Sequence, residues 1–472
     1  MPIPAEILAV ERPKSTRVKK SGDRYLVIKR TCKYVNGRNV PVDLGTIGEI
    51  VNGAYVEKRK EPRPKGTDIK DFGEVKLCDE CGKELLQELA KVWSIADSKR
   101  LYVMALLRAA YGDVRNRDLQ LEYSTSFASE MYPGVALSEN AVSTFLSSIG
   151  AAYSHVCEFM RNRVEMYAGK GIVIDGMLKD YNSITGSMSE FSRKGLKKGS
   201  KDVSIMYAYS PEHMEPVASK AYPGNMLDST AVTDFLEQYS VTSGMMVLDK
   251  GFPSKALSDY IGKHAGLSAI IPLKNDSRLI GEYGMDDPTQ HLRGYADATV
   301  VWKKTRMKDG RYLYSFRDAK AAYEQEVGYV ERAEKKGRFS SDDYVQKKKR
   351  FGLIVFLCEK DLEPLDIYKA YLGRWEIEVL FDMYKNIIDR DEVNVHTDYR
   401  TYATELVNFL TAIIAMRVKK KLVSTGLWGK YSRKQLFRYL SKYKMVRGAS
   451  GGPWVPSTRL KYINEICSTL GI

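Results

Sequence analysis

An α/β fold is predicted for the middle of this 472-residue chain, with a β-rich region near its start and helical regions on both sides. From residue 170 onward, short apolar runs alternate with an amphipathic segment, which is the pattern of a sheet covered by helices. The segment DSTAVTDFLEQYS predicts a helix before the fourth strand. Five runs are typical of strands: GIVID, DVSIMYAYS, HMEPVASKAY, GMMVLDKG and LSAIIPLK.

The N-terminal region is predicted to form a small, basic β-sheet. Its β-rich runs are separated by Asn36-Gly37 and Asn52-Gly53, which are strong hairpin-turn signals. A linker is predicted at residues 61–68, because two prolines and a glycine in EPRPKGTD break any regular element.

Helical periodicity dominates residues 78–166, for example in ELLQELAKVWSIA. Residues 276–345 interrupt the α/β pattern with a charged, partly β-like segment, and the portion 318–349 has a helical pattern that we match to no known element. A strand, GLIVFLC, follows at residues 352–358. Helices are then predicted for RWEIEVLFDMYK, TYATELVNFLTAIIAMRVKKKL and the basic tail YSRKQLFRYLSKYKMVRG.

Composition favours a nucleic acid partner. The 74 lysines and arginines outnumber the 59 acidic residues and leave a formal charge of +15, which attracts polyanions. A solubility device or an anionic membrane surface is the alternative. We expect DNA contacts from cations on or near the N-terminal sheet, with a solvated β-appendage as the alternative reading: Arg17, Lys19, Lys20, Arg24, Lys29 and Arg30.

Other features indicate a cytoplasmic protein. Six cysteines scattered through a long chain are typical of a reducing compartment. The longest apolar run, LTAIIAM at residues 410–416, is too short to span a membrane, and the N-terminus does not have the pattern of a signal peptide. The sequence contains no phosphate-binding glycine motif, so no nucleotide cofactor is expected.

Asp175 and Asp249 each follow an apolar strand directly, in GIVIDG and MMVLDKG. Ligand sites collect at the ends of such strands. Either aspartate alone also suits a turn or a cap, but on neighbouring strands the two would converge. Because converging carboxylates repel each other unless a cation lies between them, the pair predicts a hard metal ion such as Mg²⁺.

The predicted helix around RWEIEVLFDMYK carries its charges along one line. At about 100° per residue, Tyr371, Arg374, Glu378, Asp382 and Lys385 share a polar stripe beside an apolar one. A solvated face with an Arg374–Glu378 pair is the alternative, although it does not explain the tyrosine and lysine. Two aspartates and a glutamate that hold two Mg²⁺ ions, beside phosphate-binding side chains, are typical of phosphodiester chemistry.

Tyr371, Arg374, Glu378 and Lys385 reproduce the pattern Y-x2-R-x3-E-x6-K. This pattern resembles the signature of one large group of bacterial insertion-sequence transposases, which are DDE enzymes with an RNase H-like catalytic domain and a β-rich insertion. IVIDG and VLDKGF resemble the group's two aspartate strands, AYPGNMLDST its intervening block and IIPLK the strand that follows. The five blocks occur in the expected order over roughly residues 170–420.

The resemblance implies that Asp175, Asp249 and Glu378 are the catalytic residues and metal ligands, holding two Mg²⁺ ions for which Mn²⁺ substitutes. Spacing alone would also permit Asp382, one turn further along the helix, but the signature favours Glu378. The fold implied is an RNase H-like mixed sheet flanked by helices.

The resemblance also implies the DNA contacts. Arg374 and Lys385 would contact the backbone, and Tyr371 would help to seat the cleaved end. In relatives an aromatic side chain from the insertion stacks on a flipped base. Trp302 is the best candidate, and a structural strand aromatic is the equal alternative. Cys78 and Cys81 form one C-x2-C pair, which is read as two structural cysteines more readily than as part of a zinc site.

The leading hypothesis is therefore a transposase of bacterial or archaeal type, working at the nucleoid. It would cleave the terminal inverted repeats of an insertion sequence and join them to double-stranded target DNA as a homodimer or larger synaptic complex. A catalytically silent DNA-binding protein of the same ancestry and a stand-alone RNase H-like nuclease are the alternatives. Six segments are expected: a basic β-rich DNA-binding region with linker (1–68), a helical DNA-binding region (69–168), two parts of the catalytic core (169–275 and 351–425), an insertion (276–350) and a basic helical C-terminal region suited to dimerisation (426–472).

Overall fold

A computed structural model describes most of the chain: residues 3–35, 38–58, 67–112, 114–181, 183, 186–192, 199, 201–249, 252, 254–295, 299–388, 397–448, 451–457 and 459–472. The predicted turn at Asn36-Gly37 and most of the predicted linker lie outside these residues. The chain divides into two compact units, which are residues 1–68 with 447–454, and residues 69–446 with 455–472.

The first unit is built on an antiparallel sheet in the order β1-β2-β3-β4. Val18, Val27 and Ile50 form its small core. Asn52 and Gly53 join its last two strands, and both have the positive φ that a tight hairpin turn requires, as predicted. Its elements are α1 (Ala5–Ala9), β1 (Thr16–Ser21), β2 (Arg24–Val35), β3 (Arg38–Val51) and β4 (Ala54–Glu57).

The predicted helical region is confirmed. Its longest helix begins after Ser94, whose side chain accepts a hydrogen bond from the backbone N–H of Asp97 and so caps the helix. This helix is apolar around most of its circumference and is buried. The region contains β5 (Asp68–Asp71), α2 (Gly73–Gly82), α3 (Glu84–Ala90), α4 (Ile95–Tyr111), α5 (Leu119–Thr125), α6 (Ala128–Met131), α7 (Glu139–Ala151) and α8 (Tyr153–Met166).

The five predicted strands and the predicted helix of the α/β region are all present: β6 (Ile172–Asp180), β7 (Asp202–Ser210), β8 (Glu215–Pro223), α9 (Asp228–Gln238), β9 (Gly244–Val247), α10 (Lys255–Lys263) and β10 (Leu267–Pro272). The first three strands form an antiparallel meander, β9 runs parallel to β6, and β10 runs parallel to β9. The order third-second-first-fourth-fifth is RNase H-like.

The insertion extends this sheet. Strand β14 pairs with both β10 and β13, so the described sheet has nine strands in the order β11-β12-β13-β14-β10-β9-β6-β7-β8. The charged portion near residues 318–349 forms two helices that contain no buried residue. The elements are α11 (Arg278–Glu282), β11 (Gln290–His291), β12 (Val300–Arg306), β13 (Tyr312–Asp318), α12 (Ala319–Lys335), α13 (Ser341–Lys348) and β14 (Leu353–Cys358).

Two local predictions differ from the structure of the last third. The polar line from Tyr371 to Lys385 does not lie on one helix, because a turn at Gly373 and Arg374, with i→i−3 backbone hydrogen bonds, separates two helices. The basic tail is helical only as far as Leu440 and then forms a strand. The elements are α14 (Pro364–Leu372), α15 (Trp375–Ile388), α16 (Asp398–Ser424), α17 (Arg433–Leu440), β15 (Lys444–Arg447), β16 (Val455–Pro456) and α18 (Lys461–Leu470).

Helix α16 is buried along most of its length and carries polar side chains into the core. Glu405 accepts hydrogen bonds from Lys179 of β6 at 2.8 and 2.9 Å. Asn408 accepts one from the buried Arg108 of α4 at 3.0 Å. Each contact satisfies a polar group that would be costly to bury alone. Of the helices that the structure describes, none is long and apolar enough to cross a membrane.

A second buried cluster joins α16 to the strand β8. Glu215 accepts hydrogen bonds from Arg163 and Arg417, each at 2.8 Å, and Glu88 is paired with the same two arginines. Burial alone would raise the pKa of Glu215, but the two guanidinium groups outweigh burial and hold its pKa below the ordinary value.

We expect Glu215→Gln to lower the free energy of unfolding by about 3 kcal/mol at neutral pH, because two buried guanidinium groups lose a charged partner. A carboxylate with a depressed pKa stabilises the fold at neutral pH, and this contribution is lost as pH falls through that pKa. The difference between variant and wild type should therefore shrink in acid. Denaturant unfolding at several pH values measures it.

The matched control is Glu212→Gln, since Glu212 forms an exposed ion pair with Lys170 at 3.1 Å. This change should cost about 1 kcal/mol or less. Equal losses in the two variants would contradict a structural role for the buried cluster.

Candidate active site

The two predicted aspartates lie on neighbouring parallel strands. Asp175 is part of β6, and Asp249 comes two residues after the end of β9. Ile172 lies opposite Met246 in this pair, and each aspartate follows three residues later, so both aspartates lie at the same level of the sheet. The sequence predicted Asp175 at the end of its strand, but β6 continues to Asp180, so Asp175 lies within the strand. The backbone N–H of Gly176 donates a 2.8 Å hydrogen bond to Asp175 Oδ1.

Glu378 lies in the first turn of α15, and the apolar side of this helix sets its direction. Ile377 and Leu380 are buried in the main core. Phe381 meets the ring of Tyr207 on β7 edge-on, with 5.9 Å between ring centroids. Because these side chains hold one face of α15 against the sheet, Glu378 is free to approach the aspartates from the other face.

Arg374 connects the helix to the aspartates. Its Nη1 lies 3.5 Å from Asp249 Oδ1, and its Nη2 lies 3.8 Å from Glu378 Oε1. The Arg374–Glu378 pair expected of a solvated face is therefore present, but the same guanidinium also contacts a carboxylate that comes from a distant strand. The solvated-face alternative does not account for this second contact.

The charges of the other two carboxylates affect the pKa of Asp175. This pKa is raised to about 6, chiefly by burial; the hydrogen bond from Gly176 and the charge of Arg374 act to lower the pKa, and the charges of Asp249 and Glu378 act to raise it. The three predicted acidic residues thus interact electrostatically. One arginine offsets their combined negative charge only in part.

The block AYPGNMLDST reaches the same place. A cleft beside β6 is lined by Asp175 and Asp249 and by five consecutive residues of this block: Gly224, Asn225, Met226, Leu227 and Asp228. A Cβ atom on Gly224 would lie 2.3 Å from the carbonyl oxygen of Asp202, so only glycine allows this approach. The sequence pattern pointed to this block but not to Asp228, which is the third carboxylate that lines the cleft.

The donor set fits a hard divalent cation, because Asp175, Asp249 and Glu378 offer carboxylate oxygens around a region of unbalanced negative charge. Within the described residues, no group of three or more acidic, histidine or cysteine side chains stands close enough to ligate an ion. The three carboxylates would therefore have to move closer together to share one, which the partly exposed side chains of Asp249 and Glu378 allow.

Tyr371 is half-buried at the end of α14, with its ring centroid 4.9 Å from that of Phe356. Burial raises its pKa, which keeps the hydroxyl protonated and able to donate a hydrogen bond. Asp382 is exposed on α15. Lys385 lies on the same helix, but its side chain is outside the described atoms, so its predicted DNA contact stays a prediction.

Trp302 lies on β12, where its indole N–H donates to the carbonyl oxygen of His291 at 3.3 Å and its ring packs partly on the core. This environment is that of a strand aromatic, and base stacking stays a prediction. In the first unit, Lys19 is exposed on β1, and Arg30 Nε lies 3.3 Å from Asp43 Oδ1. Both are placed on the N-terminal sheet, as expected.

Cys78 and Cys81 both lie on α2, and Cys81 is one residue before its end. Cys78 is fully buried, and burial raises the pKa of both thiols, that of Cys81 to about 11. Neutral thiols are poor metal ligands. The described residues around them form no metal-binding group, and the reading of two structural cysteines stays a prediction.

An ion pair anchors α15 beside the site. Lys419 of α16 is buried, and its Nζ donates to Glu376 Oε2 at 2.8 Å. The same ammonium group lies 5.6 Å from the ring centroid of Trp428. Glu376 stands two residues before Glu378, so this contact restrains the helical turn that carries the predicted ligand.

We expect Asp175→Asn to stabilise the protein in EDTA at about pH 8 by about 1–3 kcal/mol, because the variant no longer buries a charge near two others. A carboxyl group with a raised pKa carries no such penalty below its ordinary pKa of 3.8, and the penalty is complete above about 6. The gain should therefore vanish near pH 4, as thermal unfolding across pH will show. The exposed Asp382→Asn is the control, and an equal gain there would refute the argument.

Lys419→Met should lower the free energy of unfolding by about 1–2 kcal/mol, because Glu376 is left partly buried without its cation. Hydrogen exchange followed by mass spectrometry should show faster exchange of the α15 amides. Lys420→Met, at the exposed neighbouring position, provides the control. Unchanged exchange in α15 for both variants would show that the ion pair does not restrain the helix.

Comparison with known proteins agrees with this geometry. Residues 170–416, more than half of the chain, match the family profile described as a transposase DDE domain. A search of curated proteins gave no match.

Among solved structures, a piggyBac transposase synaptic complex with hairpin DNA is 12% identical, with a TM-score of 0.38 over 86% of this chain and 87% of that one. A Mos1 transposase paired-end complex is 10% identical, with a TM-score of 0.15 over 33% of this chain and 58% of that one. The family match over the region that contains Asp175, Asp249 and Glu378 shows that the chain belongs to the DDE transposases, which are enzymes of DNA cleavage and strand transfer.

Proposed function

We propose that this transposase binds the terminal inverted repeats of an insertion sequence, cleaves DNA at their ends and joins those ends to target DNA. The observation that carries the proposal is the grouping of Asp175, Asp249 and Glu378 around Arg374, beside two parallel strands of an RNase H-like sheet. An acidic group carried by two neighbouring parallel strands and a helix is suited to hold the metal that phosphodiester chemistry requires.

DDE transposases generally depend on a divalent metal. We propose that Asp175, Asp249 and Glu378 hold two Mg²⁺ ions and that Mn²⁺ substitutes for them. Such ions supply activation of the attacking water or 3′-hydroxyl and stabilisation of the leaving oxygen. Ligation requires an ionised Asp175, and its pKa of about 6 leaves this carboxyl group mainly ionised above neutral pH.

Arg374 has a second task in this proposal. Its planar guanidinium group suits paired hydrogen bonds to phosphate oxygens, and its contacts to Asp249 and Glu378 are long enough to be exchanged for such bonds. Tyr371 can donate from its protonated hydroxyl to the cleaved end, and Lys385 would add positive charge along the same line. These side chains would offset the repulsion between the carboxylates and the DNA backbone.

We also propose that the protein works as a homodimer or larger synaptic complex on double-stranded DNA, because the two ends of an element must be held together to be joined. The basic β-rich region (1–68) and the helical region (69–168) would recognise the ends, and the C-terminal region (426–472) would support assembly. Action on chromosomal DNA would place this work at the nucleoid, in the cytoplasm.

Cleavage of a labelled duplex tests the proposal. The duplex carries the terminal repeat that flanks the coding sequence and is incubated with Mg²⁺. We expect the wild type to cut at the element boundary, whereas Asp175→Ala, Asp249→Ala and Glu378→Ala bind the duplex but cut it about a thousandfold more slowly or not at all. Asp382→Ala, which removes an exposed carboxylate from the same helix, should cut like the wild type.

Three results would contradict the proposal in different ways. Wild-type protein that binds the repeat but cuts it with neither Mg²⁺ nor Mn²⁺ would favour a silent DNA-binding protein. Cleavage without any joining to target DNA would favour a stand-alone nuclease. Loss of cleavage in Asp382→Ala but not in Glu378→Ala would identify Asp382, and not Glu378, as the third metal ligand.

A further inference from the structure

The strands β2 and β3 continue beyond the sheet to which they belong. Strand β1 pairs with β2 only as far as Lys29, and β4 pairs with β3 only from Gly48 onward. Beyond these limits Thr31–Val35 and Arg38–Val42 pair with each other, in five successive registers from Thr31 opposite Val42 to Val35 opposite Arg38. We call these two segments the ribbon.

Both faces of the ribbon are open to solvent. Residues 31–34 and 38–41 are exposed, and Val42 is partly exposed. Tyr34 is 75% exposed and Val40 is 44% exposed. The core of the unit, made by Val18, Val27 and Ile50, includes no ribbon residue. A two-stranded ribbon without a packed face gains little from burial, so a partner is needed to explain its apolar side chains.

The base of the ribbon is braced. Two bulges in β3, at Ile47 and Leu44, interrupt the register between the sheet and the ribbon, and bulges add bend and twist to a strand. Asp43 lies next to the second bulge and accepts a 3.0 Å hydrogen bond from Arg17 Nε, with Arg30 Nε at 3.3 Å. These contacts tie Asp43, the residue directly beside the ribbon, to β1 and keep Arg30 at the base.

The charge of this region selects an anionic partner. Residues 12–60 hold thirteen lysines and arginines against four acidic residues, which accounts for +9 of the chain's formal +15. The ribbon itself contains Lys33 and Arg38 and no acidic residue. Since alternate residues of a strand share a face, both cations lie on the same side as Thr31, Val40 and Val42.

We infer that the ribbon enters the major groove of the transposon-end DNA with this face toward the bases. Paired strands are about 4.8 Å apart, and their side chains bring the width to roughly 10 Å, which fits a groove about 12 Å wide but not a minor groove of about 6 Å. Five residues extend about 16 Å, roughly half a turn of the duplex. The inference rests on the proposed function, because it takes the same DNA as its partner.

The chemistry of the face matches that of the groove. Arg38 can donate two hydrogen bonds to the N7 and O6 atoms of a guanine, and Lys33 can contact a phosphate or a second guanine. The methyl groups of Thr31, Val40 and Val42 suit the C5-methyl groups of thymines. The ribbon would thus contribute both affinity and sequence preference to end recognition.

Equilibrium binding of the full chain tests the inference, with EDTA present so that no cleavage occurs. The probes are a fluorescent duplex that carries the terminal repeat and a scrambled duplex of equal length and composition. Lys33→Ala/Arg38→Ala should bind the repeat about 10- to 100-fold more weakly, and the slope of log K against log salt should become shallower, by about one for each phosphate contact that is lost. Lys255→Ala/Lys263→Ala removes two exposed cations from α10 and should bind like the wild type.

A second variant retains the charge. Arg38→Lys should bind the scrambled duplex as tightly as the wild type, yet it should discriminate less well in favour of the repeat, because lysine cannot make the paired contact to guanine. Dimethyl sulfate then reports the groove, since it methylates guanine N7 in the major groove and adenine N3 in the minor groove. Wild-type protein should protect guanines of the repeat, and the double variant should not.

The ribbon is refuted if the double variant, with an unchanged melting temperature, binds the repeat with wild-type affinity and salt slope, or if wild-type protein protects only adenine N3. Cleavage with Mg²⁺ separates the two proposals. Wild-type protein that binds through the ribbon but never cuts contradicts the proposed function alone. Wild-type protein that cuts, beside a double variant that binds normally, contradicts the ribbon alone, and a wild type that does not bind DNA contradicts both.

Discussion

The buried polar contacts of α16 are the constraint on which the catalytic region depends. A helix that is apolar nearly all round could rotate in its core at little cost, but its charged residues have partners in fixed directions. Glu405 holds Lys179 on β6, the strand of Asp175, and Lys419 holds Glu376 on α15, the helix of Glu378. One helix thereby orients two of the three elements that carry the acidic residues.

The site contains three carboxylates that repel one another, and one arginine reduces this repulsion. Asp175, Asp249 and Glu378 repel one another, and burial adds to the cost for Asp175. Arg374 reaches two of them from the start of α15 and lowers this cost without removing it. This arrangement lowers the stability of the fold. In return it creates a site where a divalent cation and a phosphate group bind with a large favourable free energy.

The insertion and the ribbon of the N-terminal unit are joined to their sheets in different ways. The insertion adds its strands to the catalytic sheet through β14, so its hydrogen bonds continue those of the core. The ribbon leaves its own sheet after two bulges and exposes both faces. Backbone hydrogen bonds of a continuous sheet join the insertion to the strands near the acidic residues, whereas an exposed ribbon is suited to meet a partner.

Local pattern was sufficient for much of the fold and the candidate site. The apolar runs that lead to Asp175 and Asp249 and the apolar stripe of α15 follow from short-range periodicity, because burial on a sheet imposes it residue by residue. The continuation of β6 beyond Asp175 was not predicted. The break at Gly373 was missed, since the apolar periodicity continues across it while the backbone hydrogen bonds change to the i→i−3 pattern there. Local pattern could not predict three further features: the approach of Arg374 to Asp249, the buried partners of α16 and the exposure of the ribbon. Each depends on which distant segments meet, and only tertiary packing decides that.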